Sequence, residues 1–375
     1  MRKYSIAERA CIAISRVEDY AERVKLVTLL HNGKFDKILQ ESNERELDSL
    51  IVNMHDQGIF AITIKSADYP ERLMNLNSPP IVLFCRGNAE LLKQEAVAIV
   101  GTRDCTRYGV DVATKFARTF AERGIVVISG LAAGIDAAAH NGACMVARKV
   151  KKEVPNAEEP KDERKGVYTP KLAAKENVVE EINTIAVLGN GVNYCYPKSN
   201  QELQDRIARG GLLVSEYLPN TKSNKFFFPH RNRIVAALAK AVVIVEADLK
   251  SGTMITKEWA MDLGIDVYAI PGAITSYASR GTNAIIKEAQ CCIALGPECV
   301  LESFGIYEKI GEEKKIQQIS FDEKIVLDIL KSDEVHFDEI VMGATLPVKK
   351  VTTLLTNMEM SGLIKKLAGN YYCKS

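Results

Sequence analysis

The stretch with the greatest capacity for chemistry is KSNKFFFPHRNR, which combines basic and aromatic side chains and contains no acid. Basic side chains neutralise phosphates, and an exposed aromatic ring can stack an unpaired base. An extended segment cannot turn three consecutive phenylalanines inward, so at least one should point outward. The alternative interpretation makes all three core residues ahead of a helix that begins at Arg231. The residues concerned are Lys222, Lys225, Phe226, Phe227, Phe228, Arg231 and Arg233.

Four glycine-bearing turns could hold an anion such as phosphate. They lie at residues 101–103, 129–134, 189–191 and 251–253, and each follows an apolar run and leads into a helical pattern. The amides and the dipole at a helix N-terminus favour a negative group. A single turn of this kind needs glycine for backbone reasons alone. Several turns on one edge of a sheet instead predict a crevice lined with phosphate-binding groups.

The segments that must position these turns are buried strands. Short apolar runs rich in valine and isoleucine alternate with helical patterns, which indicates a parallel sheet covered on both faces. This is a doubly wound α/β core, in which ligands bind beyond the carboxyl ends of the strands. The predicted strands are 96–101, 124–129, 184–189, 211–215, 241–247, 265–272 and 291–295.

The length of 375 residues and the changes in pattern predict three domains. Residues 1–68 read as short amphipathic helices, and residues 69–310 form the α/β core. Residues 148–183 interrupt this core with nine Lys or Arg and eight Asp or Glu, and we interpret them as a mobile surface insertion. Residues 320–375 predict three helices and a hairpin turning at Gly369. This winged-helix-like unit would either bind DNA or serve in protein–protein contact or packing.

Composition argues against several classes of function. The N-terminus has no sustained apolar stretch typical of a secretory signal, and no segment has the roughly 18 apolar residues of a membrane span. Net charge is only +1, so any site for a polyanion must be a local patch. The nine cysteines show no metal-site spacing, and reduced thiols in a cytoplasm are the simplest interpretation. We therefore expect neither a metal nor a cofactor.

Nucleotide-binding and catalytic motifs are incomplete. Gly189 and Gly191 begin a dinucleotide fingerprint, but Tyr194 occupies its third glycine position, and no Walker sequence occurs. Asp136 and His140 lie four residues apart on a helical pattern and could form a hydrogen bond, either as an acid–base couple or as a structural contact. The serines of the glycine turns lack a nucleophile-elbow sequence.

A series of motifs in one order resembles the DprA (DNA-processing protein A, Smf) family. The resemblance implies an extended Rossmann-like core with a SAM-like N-terminal domain and a winged helix. It also implies a dimer that binds single-stranded DNA without sequence preference. The family protects incoming strands during natural transformation and helps to load the recombinase RecA, and its members are not known as enzymes. The motifs are VAIVGTRDCTRYG, SGLAAGIDAAAHNGA, TIAVLGNGVNYCYPKSNQEL, LLVSEYLP, FPHRNRIVAAL, VVIVEADLKSGTMIT and YAIPG with SRGTNAIIKEA.

The resemblance also implies which residues bind DNA. The family's pocket uses the arginine of the first glycine turn and the lysine and phenylalanine beside F-P-x-R-N-R, here Arg103, Lys225 and Phe228. Neighbouring residues of the same motifs complete the expected site. The full set is Gly101, Thr102, Arg103, Arg107, Lys225, Phe228, Arg231, Asn232, Arg233, Ser251, Gly252 and Thr253. The expected partners are single-stranded DNA, RecA and a second copy of the chain, in the cytoplasm.

Two other classes of function stay open. Related sheets also host enzymes that process nucleotide phosphates, and such an enzyme needs a carboxylate beside a glycine turn. The sequence PGAITSYASRGTN has no glutamate there, which counts against this class. A winged-helix transcription regulator with a ligand-sensing core would prefer duplex DNA, whereas the family resemblance predicts a preference for single strands.

Overall fold

The chain divides into two compact units, residues 1–307 and residues 308–375. The first contains the N-terminal helices and a nine-stranded sheet, and the second contains a three-stranded sheet with helices. The domain boundaries predicted from the sequence stay predictions. The computed structural model describes residues 2–152, 177–307, 320–330 and 334–374.

The strands of the first unit form a mainly parallel sheet and a separate two-stranded ribbon. They are β1 (Phe60–Thr63), β2 (Val82–Gly87), β3 (Ala96–Val100), β4 (Val126–Ser129), β5 (Arg148–Lys152), β6 (Asn177–Glu181), β7 (Thr184–Leu188), β8 (Leu212–Ser215), β9 (Ala241–Ile244), β10 (Asp266–Ala269) and β11 (Cys292–Ile293). The sheet order is β1-β2-β8-β7-β4-β3-β9-β10-β11. Only the pairs β1–β2 and β2–β8 of this sheet are antiparallel. The predicted doubly wound parallel core is confirmed, with an antiparallel edge added to it.

Helices cover both faces of this sheet, because its central strands are apolar on both sides. In β3, Val97 and Ile99 pack in one apolar cluster, whereas Ala98 and Val100 pack in another on the opposite face. The helices of the unit are α1 (Ile6–Ser15), α2 (Tyr20–His31), α3 (Phe35–Glu41), α4 (Glu44–Asp56), α5 (Arg107–Glu122), α6 (Ile135–Cys144), α7 (Gln201–Gly210), α8 (Phe227–Leu238), α9 (Thr253–Asp262), α10 (Arg280–Lys287) and α11 (Pro297–Leu301). The four glycine turns follow β3, β4, β7 and β9. Because these strands are parallel neighbours, the turns lie at the same carboxyl edge of the sheet.

The N-terminal helices pack directly on the sheet. Helix α1 begins with a capping box in which Ser5 and Glu8 each accept the other's backbone amide. Its buried residue Ile12 belongs to one apolar cluster with Phe84 of β2 and Leu213 of β8. The helices and the α/β core thus share a continuous hydrophobic interior.

The charged segment predicted as an insertion begins and ends as a two-stranded antiparallel ribbon. Arg148 of β5 pairs with Glu181 of β6, and the ladder continues to Lys152 opposite Asn177. Mobility was predicted for the whole segment 148–183, and residues 153–176 of it lie outside the described residues.

The second unit has the arrangement of a winged helix. Its helices are α12 (Phe321–Ile329), α13 (Phe337–Ala344) and α14 (Val348–Met360), and its strands are β12 (Val335–His336), β13 (Ile364–Lys366) and β14 (Tyr371–Lys374). The strands pair in the order β12-β14-β13. Gly369 and Asn370 adopt left-handed conformations, with φ of 75° and 61°, between β13 and β14. The predicted hairpin and its turn are confirmed.

The nine cysteines are all free thiols. Burial raises the pKa of both Cys11 and Cys144 to about 11, so these thiols stay protonated and pack as small apolar groups. The described residues contain no cluster of His, Cys, Asp and Glu that could hold a metal ion. Within the same residues, no helix has the length and apolar character needed to cross a membrane.

His140 of α6 is completely buried in the neutral form. Its Nδ1 lies 2.8 Å from the hydroxyl of Thr184, and burial lowers its pKa to about 3. The carboxylate of Asp136 accepts hydrogen bonds from the amides of Gly130 and Ala132, at 3.1 and 3.4 Å. The spacing of Asp136 and His140 allowed a hydrogen bond between them. In the structure, Asp136 instead bonds to two backbone amides and His140 to Thr184.

We expect the free energy of unfolding to decrease as the pH falls from about 6.5 toward 3. In this range the unfolded chain protonates His140 and the folded chain does not, which costs up to about 1.4 kcal/mol per pH unit. The variant His140→Gln should lose this part of the pH dependence. Urea unfolding at several pH values, run on both proteins, measures the difference, and identical slopes would contradict the assignment.

Candidate nucleic-acid interface

Three of the glycine turns and the beginning of α8 enclose a cavity of about 520 Å³ at the carboxyl ends of the strands. Of the twelve residues predicted to bind DNA, ten line this cavity, and Arg107 and Arg233 do not. Residues from five separate parts of the chain meet at this site. The ten predicted DNA-binding residues that line the cavity are Gly101, Thr102, Arg103, Lys225, Phe228, Arg231, Asn232, Ser251, Gly252 and Thr253.

One wall of the cavity is aromatic. The ring centroids of Phe228 and Tyr196 lie 5.6 Å apart, with the ring planes tilted by 35°. The guanidinium carbon of Arg103 lies 5.0 Å from the centre of the Phe228 ring, within the range of a cation–π interaction. A Cβ atom on Gly189 would come within 2.8 Å of Phe228 Cδ1, so only glycine leaves room for this ring.

The three consecutive phenylalanines point in different directions because they begin a helix. The prediction that this helix begins at Arg231 is wrong, since α8 begins at Phe227 and successive side chains turn by about 100°. Phe226 is 70% exposed, with Lys225 Nζ 5.1 Å from its ring centre. Phe227 stacks on Tyr217 with centroids 4.1 Å apart. The prediction that at least one ring points outward is confirmed by Phe226, while Phe228 lines the cavity.

The charge of the cavity favours an anion. Arg103 and Lys225 are exposed, and the N-termini of α8 and α9 add the positive ends of two helix dipoles. Among the lining residues that the structure describes, Asp136 is the only acid, and it is already engaged by backbone amides. Burial raises the pKa of Asp136, while the nearby charge of Arg231 opposes that shift. The excess charge at the site is therefore positive.

Arg231 borders the cavity but serves mainly to hold α8 in place. Only 4% of its surface is exposed, and Nη1 donates to the carbonyl of Val187 in β7. Its guanidinium fills the space where Gly130 would carry a side chain. Asn232, the next residue, donates from Nδ2 to the carbonyl of Gly252 at 3.3 Å and so joins α8 to the turn before α9.

Arg233 lies outside the cavity in a buried ion pair. Its Nη2 donates to both carboxylate oxygens of Glu216, at 2.8 and 2.6 Å, and only 3% of the residue is exposed. Glu216 directly follows β8, so this pair fixes the other side of α8 to the sheet. His230 packs beside the pair, with Nδ1 3.4 Å from Glu216. The geometry gives Arg233 a structural role instead of the predicted contact with DNA.

Arg107 is also separate from the cavity. It is the first residue of α5, and its exposed side chain lies 4.0 Å from the carboxylate of Asp111 on the next turn. Conversely, the cavity includes Tyr196, Asn224 and Thr256, which were not predicted. For Tyr196 a signal existed, because it is an aromatic residue shortly after a glycine turn of the predicted crevice.

Comparison with known families identifies the chain. The family described as DNA recombination-mediator protein A matches residues 60–153 and 170–305. The DprA winged helix domain matches residues 313–370. The chain belongs to the DprA family. The break in the first DprA match falls within the charged segment predicted as an insertion, and the sheet is Rossmann-like, as the resemblance implied.

Individual members of the DprA family are similar over most of the chain. DNA processing protein DprA of Streptococcus pneumoniae is 35% identical over 68% of this chain and 79% of its own length. Protein Smf of Escherichia coli is 30% identical over 87% of this chain and 80% of its own length.

Two solved DprA structures are similar to this one. The X-ray structure of the Streptococcus pneumoniae protein has a TM-score of 0.60 and 30% identity, covering 80% of this chain and 98% of that chain. The Helicobacter pylori DNA processing protein A, solved to show its single-stranded DNA binding mode, has a TM-score of 0.51 and 27% identity. It covers 65% of this chain and 95% of that chain.

Substitutions of two arginines of the predicted site should differ in their effect on the free energy of unfolding. Arg233→Met leaves Glu216 without its main partner and should lower the free energy of unfolding by about 3 kcal/mol. Arg103→Met removes an exposed charge and should change that free energy by less than about 0.5 kcal/mol. Urea denaturation of both variants checks the difference. A small cost at Arg233, equal to that at Arg103, would show that the buried pair does not anchor α8.

Proposed function

We propose that the cavity binds single-stranded DNA without preference for sequence. The observation that carries this proposal is the exposed guanidinium of Arg103 over the ring of Phe228, next to Tyr196. This arrangement offers a positive charge for a phosphate beside rings that can stack an unpaired base. Stacking tolerates any sequence because every base has a π face. In a duplex the bases already stack on one another, so an aromatic wall inside a cavity favours single strands.

Several features of the site support this ligand. Lys225 extends the positive charge along the rim, and the exposed ring of Phe226 beside it offers a further surface for a base. The Helicobacter pylori relative, a DNA processing protein A with a single-stranded DNA binding mode, supports the same ligand for this chain.

We further propose that the protein mediates recombination in the cytoplasm and is not an enzyme. In this role it protects incoming strands during natural transformation and helps to load RecA, which is supported by its membership of the DprA family. A non-enzymatic role is supported by the two residues that could have formed an acid–base couple. Asp136 is occupied by two backbone amides, and His140 is buried against Thr184.

We propose in addition that two copies of the chain pair at the β11 edge of the sheet. Strand β11 is the last strand of the sheet, so one side of its backbone is left without a neighbouring strand among the described residues. Ile293 and Leu295 are 49% and 82% exposed at this edge. An open edge with apolar side chains is a ready template for association.

We expect the protein to bind single-stranded oligonucleotides of any sequence more tightly than duplexes of the same length. Because phosphate contacts release counterions, the affinity should fall steeply as salt increases. Fluorescence anisotropy across a salt series, with mixed-sequence and homopolymeric strands, measures both effects. Equal or tighter binding to duplex would refute the proposal and would favour a duplex-binding regulator.

Removal of the stacking ring or of its cation should weaken binding while the fold is kept. Phe228→Ala should reduce affinity for a single strand by roughly 5- to 150-fold, since one stacked base is worth roughly 1–3 kcal/mol. Arg103→Ala should also weaken binding, whereas Arg107→Ala, which removes an exposed arginine outside the cavity, should not. Circular dichroism checks folding in each case. A Phe228→Ala protein that loses stability but binds normally would place that ring in the core.

A further inference from the structure

A second cavity lies in the first unit, between α2 and the segment 77–81, and we refer to it as the α2 cleft. Its volume is about 510 Å³. One wall is the exposed face of α2, where Tyr20 is 81% exposed and Val24 is 47% exposed. Val27 and Ile81 extend the apolar surface inward. The cleft thus combines an apolar interior with an aromatic residue at its mouth.

The charges of the α2 cleft leave an excess positive charge. Glu216 is the only acid among its described lining residues, and both of its oxygens already accept hydrogen bonds from Arg233. Arg23 adds a second guanidinium to the same lining. In addition, Nη1 of Arg233 is buried and has no hydrogen-bond partner in the described protein. A negatively charged group in the cleft would therefore meet one uncompensated arginine.

Helix α8 connects this cleft to the first cavity. Phe228 lines the first cavity, and His230, two residues later, lines the α2 cleft. Residues two apart on a helix are separated by about 200°, so the two cavities lie on opposite sides of α8. A helix with its side chains is about 10–12 Å across, so a few nucleotides are enough to pass from one cavity to the other. The exposed ring of Phe226 lies at the start of that helix.

We infer that the α2 cleft binds a second nucleotide of the same DNA strand. Its phosphate would lie at Arg23, and its base would pack against Val24 and Val27 beside Tyr20. A nucleotide matches an apolar wall, an aromatic ring and one uncompensated positive charge. A DNA strand bound in the first cavity would also lie close by, on the other side of α8. The inference rests on the proposed function. It gives the N-terminal helices a direct role in holding DNA.

Strand length separates the contributions of the two cavities. An oligothymidylate of about 4 nucleotides should occupy only the first cavity, whereas one of about 20 nucleotides should reach both. The variant Tyr20→Ala/Arg23→Ala should bind the longer strand about tenfold more weakly and the shorter strand as tightly as the unaltered protein. For the longer strand, the slope of log K against log salt should become shallower by about 0.7, the value of one phosphate contact on a single strand.

Lys25→Ala is the matched control. It removes a positive charge from the same helix at a residue that pairs with Glu41 and does not line the cleft, so both affinities should stay unchanged. Arg23→Glu, which keeps Tyr20, repeats the test with a single substitution should the double variant fail to fold. It should weaken binding of the longer strand more than the double variant does, because it adds a repulsive charge.

The possible outcomes are distinct. An equal loss of affinity for both strands would overturn the inference, because Arg23 would then act through the first cavity. No loss for either strand would also overturn it, while binding in the first cavity would still stand. If the unaltered protein fails to bind the shorter strand and Phe228→Ala has no effect on the longer one, the proposed function itself is refuted.

Discussion

The two buried guanidinium groups of α8 fix this helix to the carboxyl edge of the sheet. Arg231 donates to the carbonyl of Val187 in β7, and Arg233 pairs with Glu216 just after β8. A buried charge without such partners costs several kcal/mol, so the helix is held in one register relative to the two strands. That register turns Phe228 toward the glycine turns. The aromatic wall, the cation–π contact and the separation of the two cavities all depend on it.

Two tasks are divided between the residues around the cavity. The buried arginines of α8 hold the structure together, while exposed residues outside this helix remain available to a ligand. Arg103 and Lys225 are exposed and contribute little to stability, since surface charges in high dielectric gain little from the fold. The positive field of the cavity can therefore be changed by substitution without unfolding the protein. Asp136 is the exception, because it lines the cavity and also holds the turn after β4 through two amides.

Much of this could be predicted from sequence, because strands buried on both faces leave continuous apolar runs and tight turns between layers require glycine. Those signals located the sheet and the crevice, and the family motifs located ten of the residues that line it. The errors concern side-chain direction. Whether an arginine in F-P-x-R-N-R points to solvent or to a buried carboxylate depends on where α8 begins, and Pro229 in its first turn hides that start. The partner of His140 was equally hidden, since Thr184 lies on a distant strand that only the tertiary fold brings into contact.

The strand order has a consequence for the timing of activity. The cavity is bounded by Val100, the last residue of β3, and by Thr256 in α9, and β3 pairs with β9, which is synthesised much later. Contacts between such distant segments cannot form until both have been made, and parallel pairing of this kind is slow. During translation, the cavity is therefore incomplete until α9 has emerged from the ribosome. A product that stops before α9 lacks one wall of the cavity.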